Sequence, residues 1–311
     1  MGSMKIMIVT VAVLLALLVI LVVPSRRFTW DKEDVAITGE GLFRTVRGIE
    51  GKSPDGRKQY IKERLSEMAA PFTTMPFDTI ITSERGNDTL HGENIVVRLG
   101  SGKRKIVVGS HCDAVPGSPG ANDNGGGVAV VLDLIRLLKS GEFRHTVDFC
   151  FFDLEEKGLI GSAVYVRRSD PEPAHLAMIN LDVEGTGDVV YAGPVGGGDD
   201  DMLMKYIRLA HDKTMYNYHE NEAYPGSDHL SFAAAKLENI SISIVPKGDA
   251  EKLAKWVASG EGRIDNPDDV PGVLKVMHSP EDKSKYVSPE ALFMSYNFTK
   301  TALLALDEGE E

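Results

Sequence analysis

Short apolar runs alternate with amphipathic helical patterns along most of this chain of 311 residues. Strands are predicted at Asp78–Thr82, Asn94–Leu99, Lys105–Gly109, Thr146–Phe152, Ala177–Val183, Val189–Ala192 and Asn239–Val245. Helices are predicted at Gly41–Ile49, Arg57–Ala70, Val128–Leu138, Ile160–Arg168, Met202–Asp212, Asp228–Lys236 and Pro289–Leu306. This alternation predicts an α/β fold, a three-layer sandwich in which helices cover both faces of a mixed, mostly parallel central sheet.

Acidic and imidazole side chains follow several of these predicted strands. In an open α/β sheet the chemistry lies beyond the carboxyl ends of the strands. The candidates are His111, Asp113, Asp123, Glu155, Glu156, Asp182 and His278, with Asp123 inside the glycine-rich stretch Gly120–Gly127. Each of them alone has an ordinary explanation as a helix cap, a turn residue or an exposed charge. Together, at the ends of consecutive strands, they predict one shared site.

A cluster of carboxylates in one crevice is repulsive, and divalent cations would relieve that repulsion. Two histidines and three carboxylates are too many ligands for one tetrahedral zinc with an open position. They fit two zinc ions if one carboxylate bridges both. A remaining glutamate can then act as a general base towards a water molecule.

The composition limits the classes of ligand and of metal site that this chain can have. The formal net charge of −12 argues against nucleic acid as a ligand, because phosphate binding needs basic patches. The chain has two cysteines, Cys112 and Cys150, which we expect to be free buried thiols rather than a disulfide. A zinc site built from cysteines is therefore excluded.

The N-terminus differs from the rest of the chain. Residues 1–3 resemble a cloning scar, and Ile6–Val23 is an apolar segment broken only by Thr10. No small-residue cleavage site follows it, which favours an uncleaved transmembrane anchor at residues 4–24 over a signal peptide. We therefore expect a linker at 25–35 and a single catalytic domain at 36–311, held at the membrane by one span and placed outside the cytoplasm, in the periplasm or extracellular space. A charged, turn-rich segment at 247–275 is predicted to be an insertion or lid.

From about Gly41 to the C-terminus the residues resemble a known family. The chain is similar to the co-catalytic two-zinc aminopeptidases related to aminopeptidase Y and bacterial leucyl aminopeptidase. The motifs that carry the resemblance are His111-x-Asp113, Pro119–Gly125, Glu155–Ser162, Asn180–Asp182, Ser227–His229 and His278-Ser279. No single motif would be specific, but the set is.

The resemblance implies a role for each candidate residue. Asp123 would bridge two Zn²⁺ ions. His111 and Asp182 would complete one metal site, and Glu156 and His278 would complete the other. Glu155 would be the general base, and Asp113 would accept the second N–H of His111 and fix its orientation. Ser227–His229 would be structural rather than catalytic.

The resemblance also implies an activity. The substrate would be a peptide with a free N-terminus, from which a zinc-dependent aminopeptidase removes the first residue. The loop between Asp113 and Asp123 looks shorter than in the family, which leaves the side-chain preference open. Two alternatives remain. One is a glutaminyl-cyclase-like acyltransferase with a single zinc, and the other is a non-catalytic receptor or scaffold ectodomain of the same fold. The oligomeric state is left open.

Overall fold

The computed structural model describes residues 32–83, 86–195, 202–260 and 266–309. The chain divides after Val35, and Ala36–Glu311 forms a compact unit of its own. The predicted anchor at residues 4–24 lies outside the described residues. Helix α1 (Lys32–Ile49) begins within the segment that was expected to be a linker. In the described part of the chain, no helix has the length and apolar character needed to cross a bilayer.

The sheet of the described chain has eight strands. They are β1 (Thr73–Ser83), β2 (Gly86–Leu99), β3 (Arg104–His111), β4 (Thr146–Phe152), β5 (Ala174–Leu181), β6 (Val189–Gly193), β7 (Tyr218–Glu220) and β8 (Asn239–Val245). Their order is β1-β2-β4-β3-β5-β8-β6-β7. The four central strands β4, β3, β5 and β8 are mutually parallel, whereas β1–β2, β2–β4 and β6–β8 are antiparallel pairs. This confirms the mixed α/β sheet.

Helices cover both faces of the sheet. They are α1, α2 (Pro54–Glu67), α3 (Gly127–Leu138), α4 (Ile160–Arg168), α5 (Met202–Thr214), α6 (His229–Ala234), α7 (Lys247–Ala258), α8 (Gly272–Val276) and α9 (Pro289–Glu308). On one face, Tyr165 of α4 and Phe232 of α6 pack against Val107, Phe152 and Met178 of the sheet. Helix α9 packs against α3, α5 and β8 in the other layer. The connections β3–α3–β4 and β4–α4–β5 run in opposite directions along the sheet, which places α3 and α4 on opposite faces.

The central strands are buried on both faces because their sequences are almost continuously apolar. All seven residues of β4 are buried, including the charged Asp148. That carboxylate accepts hydrogen bonds at 2.7 Å from the Arg98 guanidinium and the Tyr165 hydroxyl, which compensates its burial. Cys112 and Cys150 are both free and buried, as predicted.

The carboxyl ends of β3, β4 and β5 meet at one edge of the sheet, and the segments that follow them form the site. A distorted turn, Ala121–Gly126, leads into α3, and a single turn, Glu155–Lys157, precedes α4. The segment interpreted as an insertion, 247–275, includes α7, a turn at Pro267–Asp269 and part of α8. There the Asp249 carboxylate accepts the backbone N–H of Val273 at 2.9 Å, so the two ends of the segment are tied together.

Candidate metal centre

The first half of the site is built around His111, at the last position of β3. Its Nε2 lies 3.1 Å from Asp123 Oδ1 and 3.4 Å from Asp182 Oδ1. The imidazole is 1% exposed and Asp123 is 3% exposed, so the group is screened from water. Burial disfavours the charged imidazole, yet Glu155 and Asp182 together raise the pKa of His111 well above its usual range.

The second half is built around His278, in the segment that follows α8. Its Nε2 lies 3.0 Å from Asp123 Oδ2 and 3.1 Å from Glu156 Oε2. These two carboxylates raise the pKa of His278 to about 10. The two oxygens of Asp123 are thus each approached by a different histidine. Burial alone would raise the pKa of Asp123, but the two imidazoles outweigh this effect and hold that pKa below its usual range.

The donor atoms of the candidate ligands are spaced as the ligands of a shared ion would be. Asp123 Oδ2 and Asp182 Oδ1 make no hydrogen bond in the described structure, although each lies within 3.4 Å of an imidazole nitrogen. Two ligands of one tetrahedral zinc, each at about 2.05 Å from the ion, are about 3.3 Å apart. Donor atoms of His111, Asp123 and Glu156 all lie within 4.8 Å of one another. The residues present therefore fit zinc.

The backbone next to the ligands adopts conformations that side chains disfavour. His278 itself has φ of 60°, Val183 beside Asp182 has φ of 64°, and Leu154 before Glu155 has φ of 58°. A β-branched residue such as valine rarely adopts this left-handed region. The surrounding structure must hold these positions, as is common where side chains are aimed at a functional centre.

Glu155 lies beside the ligand groups and makes no ion pair among the described residues. Burial, with the neighbouring charges of Asp228, Asp182 and Glu156, raises its pKa to about 10, although His111 opposes that shift. A cation bound between the carboxylates would reverse the sign of the local field and favour the ionised form of Glu155. Glu155 therefore lies within the electrostatic influence of the candidate ligands.

Asp113 lies beside His111, next to the ring nitrogen that the resemblance implied. Its Oδ1 is 3.5 Å from Nδ1 of His111. Its carboxylate also accepts the backbone N–H groups of Glu155 and Glu156, at 3.1 and 3.2 Å. Asp113 therefore also holds the turn that carries the candidate base, Glu155, and the candidate ligand Glu156.

Two side chains that the sequence patterns left unassigned fix the loop that carries Asp123. The Asp282 carboxylate accepts the N–H of Asn122 at 2.8 Å and that of Asp123 at 3.1 Å. The buried Arg57 of α2 donates to the carbonyl groups of Cys112 at 2.6 Å and Gly120 at 3.1 Å. Asp282 follows His278 closely in sequence, and this proximity could have indicated that Asp282 belongs to the site. No comparable feature of the sequence indicated a role for Arg57.

Ser227 also contacts a candidate ligand. Its hydroxyl donates to Asp182 Oδ2 at 2.8 Å and accepts a hydrogen bond from the Asn180 amide at 2.8 Å. The neighbouring Asp228 is fully buried, and burial raises its pKa to about 7. The motif Ser227–His229 was expected to be structural, and in the structure its serine orients Asp182.

The α/β fold and two His–carboxylate groups that share one aspartate define a protein of the zinc-exopeptidase type. Residues 94–299 match the model of peptidase family M28, so the chain belongs to that family. Aminopeptidase YwaD of Bacillus subtilis is 28% identical over 193 residues, which are 60% of this chain and 38% of that protein. The chain spans about two-fifths of the length of the curated relatives it matches first.

Solved structures share the fold. BSAP, a zinc aminopeptidase from Bacillus subtilis, has a TM-score of 0.68 at 16% identity, over 88% of this chain and 95% of that one. The glutaminyl cyclase of Bacteroides thetaiotaomicron has a TM-score of 0.63 at 17% identity, over 88% of this chain and 98% of that one. These similarities establish the fold. Because a zinc aminopeptidase and a glutaminyl cyclase share this fold, it does not distinguish between their activities.

Proposed function

We propose that this chain is a metallo-aminopeptidase that binds two Zn²⁺ ions bridged by Asp123. The observation that carries the proposal is the pair of contacts made by Asp123, one carboxylate oxygen 3.1 Å from His111 and the other 3.0 Å from His278. His111 and Asp182 would hold one ion, and Glu156 and His278 the other. Membership of a peptidase family and the aminopeptidase names of its relatives support the same activity.

Zinc ions held here would polarise the scissile carbonyl and lower the pKa of a water molecule towards neutrality. Glu155 would take the proton of that water and pass it to the leaving amine. Asp113 keeps Glu155 and Glu156 in register by accepting both of their amides. The acidic surroundings would also bind the α-ammonium group of a substrate, which selects for a free N-terminus.

A glutaminyl-cyclase-like reaction with one zinc is the alternative, because glutaminyl cyclases share the fold. The second histidine on the shared aspartate favours two ions over one. A scaffold role is disfavoured, since none of the proposed ligands and neither Glu155 nor Asp113 is replaced.

The experiment is a comparison of Glu155→Gln with the wild-type protein on aminoacyl anilides and on the same peptides with a blocked N-terminus. We expect the variant to keep its zinc and to lose hydrolysis by two to four orders of magnitude, the usual contribution of a general base. Glu50→Gln, at a partly buried glutamate that binds Ser284, is a matched control. Normal turnover by Glu155→Gln, or wild-type activity on blocked peptides, would refute the proposal.

We also propose that residues 4–24 anchor the catalytic domain, 36–311, to a membrane, with that domain outside the cytoplasm. Support comes from the apolar character of Ile6–Val23, which Thr10 alone interrupts. The segment 247–275 would act as a lid, because it leads directly into the ligand His278. Retention of the full chain in carbonate-washed membranes is expected, and its appearance in the soluble fraction would exclude the anchor.

A further inference from the structure

Strands β1 and β2 continue as a two-stranded ribbon beyond the rest of the sheet. β2 pairs with β4 only over Ile95–Leu99, whereas its pairing with β1 extends from Val96 out to Gly86. Because β2 is antiparallel to β4, the ribbon leaves the sheet at the edge where β3, β4 and β5 end. Nine residues of extended chain reach roughly 30 Å. The ribbon therefore extends beyond the same edge of the sheet at which the candidate metal centre lies.

One edge of the ribbon faces the site. The backbone N–H of Glu93 donates to Asp153 Oδ2 at 3.0 Å, and Asp153 directly follows β4. Amides on one strand of an antiparallel pair alternate in direction, so those of His91, Thr89 and Asn87 point to the same side as that of Glu93. Within the described ranges no strand pairs with this edge beyond Ile95, and His91, Thr89 and Asn87 are exposed.

The root of the ribbon touches the segment that carries the proposed base. A Cβ added at Gly92 would lie 3.0 Å from the Leu154 side chain, and Leu154 immediately precedes Glu155. The Asn94 amide donates to the Gly161 carbonyl at 2.8 Å. The inner edge of β2 is thus continuous with the wall of the proposed active site.

The direction of the chain also fits a peptide. A peptide with its N-terminus at the ligands would run outward, antiparallel to β2, whose sequence runs inward from Gly86. A strand added to the inner edge of β2 would lie in line with β4, one strand spacing of about 5 Å from β3, and the position opposite His91 lies three residues, about 10 Å, beyond the end of β4. About three extended residues cover that distance. The fourth and later residues of a peptide would reach the edge.

A cavity of about 310 Å³ lies at the root of this edge, between α2 and β2. Lys58, Lys62, His91 and Glu93 are among its lining residues. Lys62 pairs with Glu93, and Lys58 pairs with Asp153 at 2.7 Å, so the charges of the lining are largely balanced. Alternate side chains of an added strand would point towards α2, as those of His91 and Glu93 do, and this cavity gives them space.

We propose that the inner edge of β2, at His91, Thr89 and Asn87, binds the extended chain of a peptide substrate beyond its third residue, by adding it to the sheet as an antiparallel strand. Such strand addition uses main-chain hydrogen bonds and tolerates many sequences. The inference rests on the proposed peptidase activity, and it adds to that activity a preference for peptides long enough to reach the edge of β2.

The test is Thr89→Pro, which removes one outward N–H, with Thr89→Ala as the matched control. Proline is tolerated at an open strand edge because that N–H takes no part in the ribbon. We expect KM for an octapeptide to rise about fivefold in Thr89→Pro, the effect of one lost hydrogen bond. Hydrolysis of an aminoacyl anilide by the same variant should stay unchanged, and Thr89→Ala should match wild type on both substrates.

A second measurement uses the wild-type protein and modifies the peptide substrate instead. Octapeptides with a single N-methyl group, placed in turn at each residue from the fourth onward, should show KM increases at alternate positions. Equal KM values along this series, or an equal effect of Thr89→Pro on octapeptide and anilide, would overturn the strand-addition proposal. Failure of the wild-type protein to hydrolyse the anilide would instead refute the proposed activity.

Discussion

Replacing Asp282 by alanine perturbs the site without replacing a proposed ligand. The carboxylate is 1% exposed and accepts the backbone N–H groups of Asn122 and Asp123. It also lies in the segment that begins with His278. Asp282 therefore joins the loop of the shared aspartate to the segment of the second histidine, and its removal should loosen both.

The magnitude follows from these two hydrogen bonds. A hydrogen bond to a charged acceptor contributes about 1.5–3 kcal/mol, so the loss of both amounts to about 3–6 kcal/mol at full effect. Burial raises the pKa of Asp282 to about 6, which reflects a desolvation cost that the carboxylate brings with it. We therefore expect a net loss near the lower limit, about 3 kcal/mol. Asp282→Asn keeps one acceptor oxygen and should lose about half as much.

The assay is urea unfolding of the zinc-free protein at pH 8, where Asp282 is ionised, combined with zinc titration against a chromophoric chelator. Asp282→Ala should lower the free energy of unfolding by about 3 kcal/mol and weaken at least one zinc site about tenfold or more. Glu281→Ala, at the exposed neighbour of Asp282, is the control. Wild-type stability and wild-type zinc affinity in Asp282→Ala would refute the reasoning.

Two further predictions concern residues next to the ligands and within the core. Ser227→Ala removes the hydrogen bond to Asp182 and should weaken zinc binding about tenfold in the same titration, and unchanged affinity would show that Asp182 needs no such support. Burial lowers the pKa of His229 to about 4, below the value of about 6.5 expected in the unfolded chain. The unfolded state therefore takes up the proton first, and His229 should contribute stability that is complete above pH 6.5 and lost as the pH falls towards 4. The loss between pH 7 and 5 should be about 2 kcal/mol, and His229→Gln should remove it from the urea unfolding profile. An identical pH profile in that variant would contradict the assignment.

The sheet could be predicted because its central strands are buried on both faces. The runs Thr146–Phe152 and Asn239–Val245 match β4 and β8 at both ends, since a change from apolar to polar or turn-forming residues coincides with the end of the strand. The length of the two-stranded ribbon formed by β1 and β2 was underestimated. Residues 78–82 and 94–99 were expected as short strands, but β1 begins at Thr73, and the alternate apolar residues Met75 and Phe77 that mark its first half were overlooked. β2 begins at Gly86 and runs first along mostly polar, exposed residues that carry no apolar pattern.

The candidate ligands could be picked out as chemically distinctive residues at strand ends, where parallel strands bring distant segments together, and the structure places their side chains next to one another. The side chains that hold the loops of these candidate ligands in place could not be predicted in this way. Asp282 acts on the backbone of Asn122 and Asp123, and Arg57 acts on the carbonyl groups of Cys112 and Gly120. Backbone acceptors and donors are present at every residue, so nothing in their sequence marks which side chain will meet them.

The central claim is that Asp123 joins two metal ions, and the zinc content of the purified protein tests it most directly. Metal analysis together with native mass spectrometry should give two zinc ions per wild-type chain and fewer than two in Asp123→Ala. The control Asp55→Ala, at an exposed acid of α2, should keep both ions. One zinc per wild-type chain, or two in Asp123→Ala, would contradict the account and favour the single-zinc alternative or a different bridge.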